Sequence, residues 1–364
     1  MQKIMIIGIA LIVVILAGLL FLKLYPQLGG KSEGKRLERI ISSPHFEQKL
    51  FQNPVKTSME IPPGKVFKEF MSKGTDRKPA KPIHTLPISL DSYTRGNNGE
   101  TIITWLGHST LLIKTGGVTI LTDPVFSKRA SMVSFMGPEK FDYTTDYRVE
   151  DLPPVDIVVI SHDHYDHLDY SAIQKLKKNI KKFYMPLGVG AHLERWGVEP
   201  GKIVELDWWE STTFENLELA ATPARHFTGR KLDDRFKTLW CGWVIKSEKH
   251  NLFFTGDSGY WDGFKTIGEK YGPFDFTMVE CGQYHPYWAS IHMSPEESAQ
   301  AAYDLKSIAT MPIHWGKFSL SLHPWDEPPA RFAVKATELK LNATTPRIGE
   351  TFSLIKLPEN EWWR

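Results

Sequence analysis

Cysteine is nearly missing: the 364 residues hold only Cys241 and Cys281. That excludes a disulfide framework and any zinc site built on paired cysteines, and leaves at most one bridge. An excess of charge is missing too, with 44 basic against 42 acidic side chains and a formal net charge of +2. So weak a field does not suit a polyanion, and no nucleic-acid partner is expected. No segment repeats at a period of about 20 to 50 residues, which sets aside solenoids and propellers. With 41% apolar and 24% charged residues, the chain is neither disordered nor a multi-span membrane protein.

One long apolar run is present. From Ile4 to Leu22 the chain reads IMIIGIALIVVILAGLLFL without a charge, and such a helix spans roughly the 30 Å hydrocarbon layer of a bilayer. It outruns the apolar region of about 7 to 15 residues found in cleaved signal peptides. Residues 1–25 are therefore expected to form a single-pass N-terminal transmembrane anchor, with the membrane as a partner and as the location of the protein. Basic residues on both sides, Lys3 before the run and Lys23, Lys31, Lys35, Arg36 and Arg39 after it, leave the side of the body open.

Residues 26–98 are rich in Pro, Lys, Ser and Gly and read as a linker and wrapped extension. Beyond Thr101 the texture changes to short β-branched runs punctuated by Gly, Asn and Asp, with Gly116-Gly117 as a tight turn. Helical stretches lie between the later strands: Tyr170 to Lys181, and one opened by Ser294-Pro295-Glu296-Glu297, which joins an N-cap serine, a first-turn proline and a capping-box glutamate. Hairpins first and strand–helix units later predict an α/β sandwich over residues 99–358, with helices outside mixed sheets.

Histidine carries the chemistry. The buried-strand pattern Val155–Ser161 empties into His162-Asp163-His164-Tyr165-Asp166-His167. Residues two apart in an extended segment project to one side, so His162 and His164 can meet one ion. A turn then lets Asp166 and His167 swing toward a second. Three more candidates follow apolar runs: His226 after ELAATPAR, Asp257 after LFFTG and His314 after ATMPI. Nitrogen and carboxylate ligands together suit zinc or a similar divalent ion.

In this order the ligands resemble those of the metallo-β-lactamase superfamily. The strings TWLGH (104–108), LTDP (121–124), SHDHYDHLDY (161–170), LDWWE (206–210), TGDSGY (255–260) and IHWG (313–316) are similar to the N-acyl-phosphatidylethanolamine-hydrolysing phospholipase D family. The resemblance implies an αββα sandwich behind the anchor and extension. It also implies two Zn2+, one held by His162, His164 and His226, the other by Asp166, His167 and His314, with Asp257 bridging. Asp123 matches a residue that buttresses the ligand loop, and His292 one close to the reacting phosphate. Tyr165 and Tyr170 match aromatic positions lining the substrate mouth. Ile291 stands where the family has glutamine, which touches headgroup or amide recognition rather than the metals.

Expected from this is a membrane-anchored dinuclear zinc phosphodiesterase that cleaves N-acyl-phosphatidylethanolamine to an N-acylethanolamine and phosphatidic acid. His292, or Asp166 through a water, would protonate the leaving group. His108, beside a strand, is expected to orient a ligand rather than to be one. His285 and His323 read as pocket rim or surface, surface first, and Trp208, Trp209, Trp261, Tyr284, Tyr287, Trp288 and Trp315 as candidates for an apolar vestibule, with core packing the expected fate of several. Two alternatives stand beside this reading: a hydrolase of the same fold opening a lactone, a β-lactam or another small ester or phosphodiester, and a non-catalytic zinc-binding membrane protein. A homo-oligomer is left open.

Overall fold

The structure, a computed structural model, describes all residues except 1, 60, 61, 63, 72–75 and 95–98. Two seven-stranded sheets face each other. The first runs, in spatial order, Thr351–Ser353, Ile102–Trp105, Leu111–Thr115, Val118–Thr122, Ile157–Val159, Lys182–Pro186 and Ile203–Leu206. The second runs Asn342–Ala343, Ser307–Ile313, Phe274–Glu280, Asn251–Phe254, Gly242–Lys246, Leu217–Thr222 and Ser211–Phe214. In each sheet the first few strands in the chain pair antiparallel as hairpins and most later ones pair parallel, except that Thr351–Ser353 closes the first sheet antiparallel to Ile102–Trp105. Gly116 and Gly117, both at positive φ, close the turn between Thr115 and Val118, a conformation that costs glycine no Cβ clash.

Strand alternation sorts the apolar side chains into layers. Ile157 and Val159 face the opposing sheet together with Ile113, Ile120, Trp243, Ile245, Phe254 and Met278. Val158 and Ile160 face outward, onto Ala172, Ile173 and Leu193 of the helices Tyr170–Leu176 and Gly190–Arg195. Across the molecule Val244, Phe253 and Val279 pack on Phe264, Ile267, Ala301 and Ala302 of Gly263–Lys270 and Pro295–Asp304. The layers are therefore helix, sheet, sheet, helix, the α/β sandwich expected. The Ser294 capping box forms as predicted. The helix from Tyr170 stops earlier than expected, at Leu176, where the chain must turn to reach the strand at Lys182.

The membrane anchor is corrected. A helix does run from Gln2 to Leu24, but among the described residues no helix is long and apolar enough to cross a membrane. The single-pass anchor, and the membrane location and partner that rested on it, are set aside. The extension after it is no loose linker: Pro26–Gly30 is held by Trp196 Nε1 on the Pro26 carbonyl, Arg230 Nε on that of Gln27 and Arg195 on that of Gly29. Residues 95–98 at its far end lie outside the described residues.

Candidate metal centre

Every candidate ligand leaves a strand at the same edge of the sandwich. His162 to His167 follow Ile157–Val159, His226 follows Leu217–Thr222, Asp257 follows Asn251–Phe254 and His314 follows Ser307–Ile313. Strand ends are fixed by the ladders behind them, so side chains there are pre-positioned. The turn before Asp257 requires glycine: Gly256 sits at φ +59°, and a Cβ on it would lie 2.7 Å from the Ser161 Cβ and 2.8 Å from the Cys241 carbonyl. His108, Asp123 and His314 also adopt positive φ, strain of the kind that concentrates at functional sites.

Among the described residues five sets of ligand atoms lie within reach of a single ion; two of them are His162, His164 and His226, and His108, Asp166, His167 and His314, and the other three join Asp257 to His162 and His167, Asp257 to His226 and His292, and His292 to Glu280 and His314. Asp257 lies between the first two. Its Oδ2 is 3.2 Å from His167 Nε2 and 3.7 Å from His226 Nε2, and its Oδ1 is 3.1 Å from His314 Nδ1. In the first set His162 Nε2 and His226 Nε2 lie 2.9 and 3.3 Å from His164 Nδ1. Three imidazole nitrogens converging this closely cannot all find protein partners, and a cation satisfies them together. His167 Nε2, His314 Nε2 and Asp257 Oδ1 are buried with no hydrogen-bond partner in the protein. Buried polar atoms seldom go unpaired, so the donor set fits divalent metal.

The titratable groups of the cluster shift one another strongly, in both directions. Burial opposes charge on His167, yet Asp257, Asp166 and Asp123 outweigh it and hold the ring well above the usual imidazole range. Against its own burial cost, Asp257 is driven well below the carboxylate range by His167 and His314, and Asp166 by His167 and His108. His162, His226 and His314 go the other way, because burial holds them neutral. A neutral imidazole has the lone pair a metal needs.

Around the ligands stand groups that aim them. Asp123, fully buried, accepts from the Ser161 N–H, the Ser161 hydroxyl and His167 Nδ1 at 2.7, 2.6 and 2.7 Å. His226 Nδ1 donates to the Ile291 carbonyl at 2.9 Å. That contact uses main chain only, which is why isoleucine at 291 leaves it intact. His108 Nε2 lies 2.8 Å from Asp166 Oδ2, within hydrogen-bond distance of a candidate ligand. Its main chain is paired with the loop at the end of the opposing sheet, His108 N–H to the Trp315 carbonyl and His314 N–H to the His108 carbonyl.

The cluster floors a cleft of about 280 Å3 walled by Met59, Phe227, Trp288, Ile291 and Leu320, with His292 and Gln283 as polar members. His292 Nδ1 is bonded to Glu280 Oε1 at 2.6 Å. Burial raises the Glu280 carboxyl, and that carboxyl raises His292 against the desolvation of the ring.

Sequence reasoning overlooked Glu280, although it ends the apolar run FDFTMVE as Asp257 follows another. Gln283 was missed too; it is buried, and its amide donates to the His314 and Phe318 carbonyls.

Other residues singled out in the sequence lie outside this cleft or at its edge. Tyr165 and Tyr170 line a separate cavity of about 110 Å3 beside Arg230. Alternation explains this: with His164 toward the ligands, Tyr165 faces away, its ring 4.1 Å from the Arg230 guanidinium and its hydroxyl donating to the Arg230 carbonyl. Of the vestibule aromatics only Trp288 lines the cleft; Trp208 and Trp315 are buried in the core between the sheets. His323 is no free surface group: Nε2 accepts from the Gln283 N–H and the ring stacks on Tyr284. His285 is half-buried and accepts from the Tyr287 N–H.

Comparison with known proteins identifies the architecture. Residues 118–315 match the family described as beta-lactamase superfamily domain. An uncharacterized protein of Mycobacterium tuberculosis is 39% identical over 301 residues, 81% of this chain and 80% of that one. The N-acyl-phosphatidylethanolamine-hydrolyzing phospholipase D 1 of Caenorhabditis elegans is 36% identical over 252 residues, 66% of this chain and 69% of the relative. Among solved structures, Igni18, a metallo hydrolase from Ignicoccus hospitalis, superposes with a TM-score of 0.54 at 21% identity, covering 70% of this chain and 97% of its own; it shares the fold. With its sandwich, its strand-end cluster of histidines and aspartates and these relatives, the chain belongs to the metallo-β-lactamase superfamily, and within it resembles the N-acyl-phosphatidylethanolamine-hydrolysing phospholipases D.

Proposed function

We propose that the protein is a dinuclear zinc phosphodiesterase that hydrolyses an N-acyl-phosphatidylethanolamine-type phospholipid to an N-acylethanolamine and phosphatidic acid. Its catalytic body would be residues 99–358, behind an extension at 26–98. The observation that carries the reading is the convergence of His162, His164, His226, Asp257, Asp166, His167 and His314 into one cluster, of which His164, Asp166, Asp257 and His314 line the cleft. The first three would hold one ion and the last three the other, with Asp257 between. When bound, such a pair lowers the pKa of water and neutralises the oxygens of a phosphodiester.

The rest of the work belongs to the chain. Met59, Phe227, Trp288, Ile291 and Leu320 offer apolar walls to an acyl chain, and a phosphate held against the buried ligands would be out of bulk water, so that charge interactions with it are stronger than in water. With Nδ1 taken by Glu280, His292 turns Nε2 to the cleft and can donate a proton to the departing oxygen. His108 holds the Asp166 carboxylate and Asp123 the His167 ring, so both ligands stay aimed when a substrate enters.

The test is direct. Purified protein reconstituted with Zn2+ is given a defined N-acyl-phosphatidylethanolamine, and phosphatidic acid and N-acylethanolamine are quantified by mass spectrometry. Both products should appear in equal amounts and vanish in His164→Ala. Opening of a lactone or β-lactam without any phosphodiester cleavage would overturn the substrate assignment.

A further inference from the structure

The strand that precedes His226 ends at Thr222, so His226 stands where the ladder no longer supplies partners for its main chain. Buried N–H and C=O groups must find partners elsewhere. Here one side chain provides both: the His226 N–H donates to Asn53 Oδ1 at 2.9 Å and Asn53 Nδ2 donates to the His226 carbonyl at 2.8 Å. The amide of Asn53 thus takes the place of a neighbouring strand. It comes from 173 residues away, in the extension, before the segment matched by the family at 118–315.

The same stretch continues along the site. Arg225, next to His226, reaches back to the Thr57 hydroxyl and the Lys56 carbonyl, and Met59 forms part of the cleft wall. On the other side Phe51 is buried, its N–H bonded to the Phe236 carbonyl. Residues 51–59 are fastened at both ends, with Asn53 on the ligand.

We infer that Asn53 is a positioning residue for His226, and that this stretch of the extension is a working part of the metal centre. With the Ile291 carbonyl on Nδ1 and Asn53 on both main-chain groups, the remaining polar atom of His226 is Nε2, which lies 3.3 Å from His164 Nδ1 and 3.7 Å from Asp257 Oδ2. The inference rests on the reading of His226 as a ligand. Loss of a partner that holds a ligand typically costs about 10- to 100-fold in metal affinity.

The experiment uses the full chain with Asn53→Ala, Asn53→Asp and, as a control for loosening the stretch without touching the ligand, Gln52→Ala, whose side chain bonds only to the Glu47 and Leu50 carbonyls. Two quantities are read: hydrogen exchange of the peptide containing the His226 amide in metal-free protein, and Co2+ affinity from its visible absorption.

Asn53→Ala should speed exchange at His226 and weaken Co2+ about 10- to 100-fold. Asn53→Asp keeps the acceptor but not the donor, so it should retain protection of the amide and still weaken Co2+. Gln52→Ala should match the wild type, and if Asn53→Ala does not fold the aspartate variant carries the comparison. Wild-type Co2+ affinity and an unchanged spectrum in both Asn53 variants would overturn the inference while leaving the metal assignment standing. Failure of the wild type itself to bind Co2+ would overturn both, with exchange at His226 showing whether Asn53 holds the residue.

Discussion

Lys317 offers a quantitative test of how the ligand loops are held. Only 4% exposed, it sits three residues beyond His314 and donates from Nζ to the Val125 carbonyl at 2.7 Å and, more weakly, to the Leu106 carbonyl at 3.4 Å. One amine therefore ties the loop after His314 to the segments flanking His108 and Asp123. Burial, with Lys140 adding to it, lowers this amine from 10.5 to about 7. The unfolded chain keeps the ordinary value.

Below about pH 7 both states carry the proton and the group adds no slope. Between about 7 and 10.5 the unfolded state binds a proton the folded state lacks, so stability rises with pH, and above that range it levels. At about 1.4 kcal/mol per pH unit the full effect is bounded at roughly 5 kcal/mol.

Lys317→Met should abolish this slope. It also leaves the two carbonyls without their donor, at a cost of about 1–3 kcal/mol. Urea unfolding of metal-free wild type and variant from pH 6 to 10 should therefore give curves that diverge as pH rises, with the variant the less stable at pH 10 and the gap narrowed or reversed at pH 6. Parallel curves would refute both the lowered amine and the role given to it.

Further outcomes follow from the same geometry. His164→Ala or Asp257→Asn should reduce turnover by at least about 100-fold while circular dichroism stays that of the wild type; full activity in either would remove it from the site. Glu280→Gln keeps a hydrogen-bond acceptor for His292 but not the charge, and should lower kcat roughly 10- to 100-fold, less than the full contribution of about 10²–10⁴ from a positioned acid, with KM little changed, as steady-state kinetics would show. Ser294→Ala should cost about 1 kcal/mol of stability through its lost cap on the Glu297 N–H, visible as a lower Tm.

The sandwich and the ligands were legible because each rests on a local pattern. Strand alternation at Ile157–Val159 and the capping box at Ser294 are properties of neighbouring residues, and the ligands announce themselves as an acid or histidine just past an apolar run. Which side Tyr165 takes was not legible, because it depends on how the loop turns after His164, where its ring meets Arg230 from another part of the chain. Asn53 gave no signal at all: its partner lies far along the sequence, and an Asn-Pro pair reads only as a turn. The apolar run at Ile4–Leu22 shows the converse, a local pattern that the described structure does not carry as a membrane span.

The central claim is that two ions sit on these seven side chains. Crystals of the zinc-loaded protein measured on both sides of the zinc absorption edge would test it most directly. Two anomalous peaks are expected, about 3.5–4 Å apart, one beside His162, His164 and His226, the other beside Asp166, His167 and His314, with Asp257 reaching both. Peaks elsewhere, or none within the cleft, would contradict it.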